Sequence, residues 1–191
     1  MNGPGWLAAV AIVTTVNPER VARVAGGLAM TSRPTGGPPA RVAALGAGIA
    51  ATLFVVLAAI ASPLLEAIDV SAPTAMVAVG LVLMGTGVKD LFVGPPTAEP
   101  AMDAWKAALV PVAVPAVARP QVGLLAVAAG ASYGMAPVVA GSVAMVIGVG
   151  AATAVGGAGV RGRLMRWLGL VGLVVTVVAG ATFAVEGVFS V

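Results

Sequence analysis

Six apolar runs divide the chain, at residues 6–30, 42–65, 74–88, 105–129, 138–155 and 167–185. Short polar or glycine- and proline-rich stretches separate them: 31–39, an acidic turn at 66–73 with Glu66 and Asp69, a longer loop from Lys89-Asp90 to Asp103, a turn at 130–137 and a glycine- and arginine-rich loop at 156–166. Glu186 opens the tail. A membrane-crossing helix needs about 20 mostly apolar residues, so the pattern predicts six spans. Lipid satisfies no backbone polar group, which makes each span a helix. The expected fold is all-α, a polytopic membrane protein.

Two of the runs are interrupted, and they resemble each other. The first carries Thr14-Thr15-Val16-Asn17-Pro18-Glu19-Arg20-Val21, the second Val114-Pro115-Ala116-Val117-Ala118-Arg119-Pro120-Gln121-Val122. Each places a polar residue and then a proline inside an apolar segment. Proline removes a backbone donor and clashes with the preceding turn. Membrane proteins keep such breaks where they are buried in protein or line a polar cavity. The fourth run is punctuated further by Pro111 and Pro115. Three spans form an odd unit, so spans 1 and 4 enter from opposite faces. The pattern predicts a 3+3 inverted repeat in one membrane domain, repeat one over residues 1–93 and repeat two over 104–191. Both breaks, at Pro18 and Pro120, are expected at or a little beyond mid-depth.

Composition agrees. Sixty per cent of the residues are hydrophobic and 9% are charged, and the mean hydropathy is +1.08. Such a chain cannot build a charged outer surface and must be solvated by lipid. The net charge of +3 raises nucleic acid as a partner, but cytoplasmic loop charge explains it better. Nine of the ten basic residues flank the first, third and fifth loops: Arg20, Arg23, Arg33, Arg41, Lys89, Lys106, Arg161, Arg163 and Arg166. That asymmetry predicts both termini outside a bacterial cytoplasmic (inner) membrane. Trp6, Trp105 and Trp167 each begin a span, as interfacial anchors do. The first residues lack a basic region, so no cleaved signal peptide is read.

Cysteine and histidine are both absent. Disulfides, thiol relays and thiolate metal sites are excluded, along with the commonest metal ligand and proton shuttle. No nucleotide-binding Gly-Lys-Ser/Thr pattern and no catalytic constellation is present, so neither an ATP-driven motor nor an enzyme is expected, and no cofactor is implied.

Candidate chemistry gathers at the breaks. Arg119 is the tenth basic residue and lies inside span 4, where an arginine costs roughly 2.5–3.5 kcal/mol on insertion scales. It binds an anionic group with its planar fork, snorkels to the outer headgroups, or pairs structurally with an acid such as Glu19. Glu19 is a proton-coupling carboxylate, the counter-ion of Arg119, or a charge at a helix start. Asn17, Thr14, Thr15 and Gln121 satisfy carbonyls freed by the prolines or contact cargo. Small residues at Ala43, Ala47 and Ala51, and at Gly130 and Gly134, are spaced for close helix contact.

The stretches TTVNPERVA and LVPVAVPAVARPQVG resemble the LysE-type superfamily of small six-span proteins, particularly its MarC-like branch. Arg119 and Gln121 stand where that family has glycines, which adds a charge to a bare backbone. The resemblance implies a 3+3 inverted repeat and an export or efflux role, with relatives moving amino acids or metal ions and others linked to envelope glycolipids. Three functions follow as expectations. One is a secondary transporter exporting a small polar or anionic metabolite. The second is a translocase of a phosphate-bearing envelope lipid, and the third a non-transporting membrane subunit or scaffold. A homodimer would shield a cavity that six thin helices leave open.

Overall fold

A computed structural model describes residues 5–16, 39–92, 119–155 and 160–190. All regular structure among them is helical: α1 (Gly5–Thr15), α2 (Pro39–Ala59), α3 (Ala61–Ala67), α4 (Ala72–Phe92), α5 (Pro120–Tyr133), α6 (Met135–Val155) and α7 (Val160–Phe189). Helices α4, α6 and α7 are each long and apolar enough to cross a membrane, and α2 with α3 makes a fourth candidate as a bent pair. Helix α1 is apolar but short. The described residues thus give three to four spans of the six expected. The molecule is a helical bundle of membrane-protein character.

Proline explains where the helices begin. Pro39, Pro73, Pro120 and Pro137 all lie in the first turn of a helix, where the missing N–H has no internal acceptor to lose. The stretch 130–137 was expected to be a turn. Helix α5 instead continues to Tyr133 and α6 starts at Met135, leaving Gly134 alone between them at φ +77. A residue without Cβ adopts that backbone freely.

Span 2 was expected unbroken over 42–65. It bends by 60° between Ala59 and Ala61. Pro63 is the cause: it cannot donate to the Ala59 carbonyl, and its ring pushes that carbonyl aside. Helix α3 then closes with Asp69 at φ 53, the Asp69 N–H reaching the Glu66 carbonyl and the Val70 N–H the Leu65 carbonyl. This is a Schellman closure with aspartate in the usual glycine position.

Helices α4 and α7 both outrun their apolar stretches. Lys89 and Asp90, expected in a loop, sit in the last turns of α4. Glu186, expected to open the tail, lies within α7, which also begins seven residues before Trp167. Helices continue past the apolar limit wherever the polar residues are good helix formers.

The core runs along buried faces that repeat. In α4 the buried positions are Met76, Val79, Gly80, Leu83 and Gly87. In α7 the positions 100 residues later are buried too: Thr176, Ala179, Gly180, Phe183 and Gly187. The helices cross antiparallel, Gly80 against Gly180. A Cβ on Gly180 would lie 2.8 Å from the Gly80 carbonyl oxygen, and one on Gly80 would strike the Gly180 carbonyl. Gly87 faces Leu173 and Val177, while Gly187 faces Pro73 and Val77. Helices α2 and α6 show the same relation with a shift of 95 residues. Ala43, Gly46, Ala47, Ala50 and Phe54 are buried, and so are Val138, Gly141, Ser142, Met145 and Val149. These two helices pack on each other, as α4 and α7 do. Helix α5 touches α1, α2, α3, α4 and α6, and so sits inside the bundle.

Candidate functional site

Helix α5 begins at the second sequence break. Arg119 caps it in extended conformation (φ −75, ψ 143) and Pro120 takes the first helical position. The Arg119 carbonyl accepts from the N–H groups of Val122 and Gly123, at 3.0 and 3.2 Å. The Arg119 carbonyl is therefore satisfied by the ordinary start of a new helix.

The guanidinium of Arg119 is buried, at 7% exposure, and forms a salt bridge with the Asp90 carboxylate. Its partner was expected among acids such as Glu19; the structure supplies Asp90 from the last turn of α4. Asp90 is missed by a reading that ends span 3 at Val88. The signal is helical spacing, because Asp90 continues the face of Leu83 and Gly87 at intervals of four and three residues. The pair also bears on depth. Asp90 lies two residues before the end of a 21-residue helix, so Arg119 sits toward one end of α4 rather than at its centre.

Gln121, in the first turn of α5, is 8% exposed and has no side-chain hydrogen bond among the described residues.

The first break is represented by the end of α1. Thr15 donates to the Ala11 carbonyl at 2.6 Å and Thr14 to the Val10 carbonyl at 3.0 Å. Both hydroxyls thus serve their own helix. Thr14 also accepts a hydrogen bond from Thr176 of α7 at 3.2 Å. Beside it, Thr14, Val16, Met145, Val149, Val171 and Gly172 line an apolar groove of about 250 Å³ between α1, α6 and α7. Asn17, Pro18, Glu19, Pro111 and Pro115 lie outside the described residues.

Through its neighbours the end of α1 comes near the level of the ion pair. Gly172 packs against Thr14, and the next residue, Leu173, lies beside Gly87 of α4, three residues before Asp90. Helices α1 and α5 are themselves in contact. The end of α1 and the start of α5 therefore meet the same part of the α4–α7 pair.

The far end of α5 holds a second polar pair that sequence reasoning missed. Tyr133, the sole tyrosine, donates to the Glu186 carboxylate of α7 at 2.8 Å. Within α6, Ser142 is 2% exposed and its hydroxyl has no partner. No group of three or more metal-ligating side chains occurs among the described residues.

Comparison with known protein families, curated proteins and solved structures yields no match.

Proposed function

We propose that the chain is a secondary membrane transporter, exporting a small polar or anionic metabolite, with its site where the interrupted first and fourth spans meet. The observation that carries this reading is the ion pair that the buried Arg119, at the start of α5, makes with the partly buried Asp90. Ionisable groups inside a bundle of lipid-facing helices are costly, and membrane proteins keep them for substrate and ion pathways. A scaffold has no need of such a pair.

The matched burial of α4 with α7, and of α2 with α6, supports an inverted repeat of six spans. In that reading the two shifts, 100 and 95 residues, differ because the buried faces of the second and third spans lie five residues further apart in the second half. Inverted repeats place substrate between their halves, at half-helix ends. Arg119 and Gln121 stand at such an end in α5, and Thr14 and Thr15 at the end of α1. The LysE-type, MarC-like resemblance belongs to the same proposal. So do the bacterial inner membrane and two external termini.

Flux in liposomes tests the reading. Purified protein is expected to release a labelled organic acid or amino acid down its gradient, and Arg119→Ala to abolish release while the protein stays folded. Unchanged flux in the variant removes the site. Topology has a simple check, because the chain has no cysteine. A single cysteine placed near either terminus is expected to react with an impermeant thiol reagent from the outside.

One observation favours a second reading. The groove beside Thr14 is apolar and borders residues exposed on the outside of the bundle, such as Val171, which suits a lipid chain whose headgroup phosphate meets Arg119. Native mass spectrometry decides between them: a phospholipid retained by the native protein and lost from Arg119→Ala favours the lipid translocase.

A further inference from the structure

We propose that the groove beside Thr14 holds one resident anionic phospholipid, with an acyl chain in the groove and the headgroup at the arginine-bearing end of α7. The inference goes beyond transport and does not depend on it. It also differs from translocation in where the phosphate lies: at the start of α7, not at Arg119.

The groove exists because two helices part. Gly141 and Gly148 lie seven residues apart and so share one face of α6. A Cβ on Gly141 would press on the backbone of Ala9 of α1 at 2.9 Å, whereas a Cβ on Gly148 would meet nothing within 4 Å. Helix α1 therefore touches α6 at the first glycine and has left it by the second. On the other side α7 stays close, since a Cβ on Gly172 would lie 3.4 Å from the Thr14 carbonyl oxygen. The result is a cleft of about 250 Å³. Its rim residues Leu168 and Val171 are 47% and 55% exposed, so it opens to the outside of the bundle.

What stands outside is hydrocarbon, because these helices are solvated by lipid. Thr14 is the polar side chain among the lining residues. Its hydroxyl already donates to the Val10 carbonyl and accepts from Thr176, so the cleft makes no demand for a polar ligand. An acyl chain fits it. A lipid tail is as apolar as the wall, so the gain is close packing along the chain rather than escape from water.

Depth assigns the headgroup. On α7 the cleft begins at Leu168, next to the exposed Trp167, a residue type that marks the interface. Helix α7 starts at Val160, and Arg161, Arg163 and Arg166 precede Trp167 on it. At ~1.5 Å per residue these positions lie about 3–10 Å beyond Leu168 along the axis. A lipid with its chain in the cleft carries its phosphate over that interval. No acidic residue occurs in α1 or α6, and the first in α7 is Glu186, near its other end. Clustered arginines beside an apolar cleft favour an anionic headgroup over a zwitterionic one, roughly fivefold for each residue near the charge.

The test is native mass spectrometry of the full chain, released from micelles that hold equal amounts of phosphatidylglycerol and phosphatidylcholine with the same acyl chains. The native chain is expected to retain one lipid, with phosphatidylglycerol preferred by about fivefold or more. Gly148→Leu fills the cleft from a position where a Cβ meets nothing, and is expected to retain neither lipid. Val171→Trp covers the rim by a second route, with the same loss expected. Gly85→Leu, which also meets open space but lies on α4, is expected to behave like the native chain. Arg163→Gln with Arg166→Gln is expected to keep a lipid and lose the preference. Native-like retention in either cleft variant overturns the site. A preference that survives in the arginine variant overturns the headgroup assignment. Loss of the lipid from Arg119→Ala does so too, because it places the phosphate at that arginine, as translocation requires. Heating gives an independent readout, since a ligand of the folded state raises the unfolding midpoint. Phosphatidylglycerol is expected to raise it in the native chain and not in Gly148→Leu, and an equal rise in both overturns the proposal.

Discussion

Helix α7 meets α4 through bare backbone, whereas α5 is tied to the same two helices by side chains. At the α4–α7 crossing, glycine faces glycine, with no polar side chain between Gly80 and Gly180. That contact has one good geometry, because dispersion and close fit fall off within a fraction of an ångström. The attachments of α5 are of another kind. Arg119 holds Asp90 of α4 at one end, and Tyr133 holds Glu186 of α7 at the other. Such bonds can be exchanged for others of equal strength. The difference separates a frame set by shape from an element that can change partners, which is what a moving part requires.

The largest effect is expected from attacking the frame. Gly80→Leu forces a side chain into the Gly180 backbone and Ala184. Backbone cannot give way as a side chain can, so the cost exceeds the roughly 1–3 kcal/mol usual for overpacking. Loss of monodisperse protein on size exclusion is the expected result. Gly85→Leu, where a Cβ meets nothing within 4 Å, is expected to leave the elution profile unchanged. Equal behaviour of the two variants would break the comparison.

Next comes the charged attachment. Arg119→Ala takes the guanidinium from the Asp90 carboxylate and is expected to cost less than the about 3–5 kcal/mol of a fully buried pair, read as a lowered midpoint of thermal unfolding in detergent. The double change Arg119→Met with Asp90→Leu is expected to regain part of that loss while abolishing anion binding. Stability and function would then part company at this pair, which the α4–α7 crossing does not allow.

Smaller effects sharpen the picture. Tyr133→Phe removes one hydrogen bond to Glu186 and should cost about 1 kcal/mol. Thr176→Val removes the bond to Thr14, for which about 0.6 kcal/mol is typical between membrane helices. Ser142→Ala has the opposite sign. Its hydroxyl is buried and unpartnered, so removing it is expected to raise the unfolding midpoint, by an amount on the order of 1 kcal/mol.

Much of the bundle was legible in residue pattern alone. Apolar runs announced the long helices α4, α6 and α7, because hydrophobic length is a local property. The break at Arg119-Pro120 appeared as a helix start for the same reason, since proline acts on its own turn. Helix ends were less legible. Asp90 and Glu186 look like loop residues when hydropathy sets the boundary, yet both lie on helices and point at α5. A charge is admitted to a helix by a partner elsewhere in the chain, and a linear reading cannot see the partner. The bend at Ile60 was overlooked for a different reason: Pro63 lies near the end of an apolar run, where a proline passes for punctuation.

The sequence by itself determined that this protein is helical and solvated by lipid, and that Arg119 needs company. Those are consequences of composition, periodicity and the cost of a charge in an apolar medium. Only the tertiary structure decided that the company is Asp90, that Gly80 meets Gly180, and that the buried faces recur 95 and 100 residues apart. Pairing of distant residues depends on how helices cross, and crossing is settled by the summed fit of many side chains, which no single stretch contains.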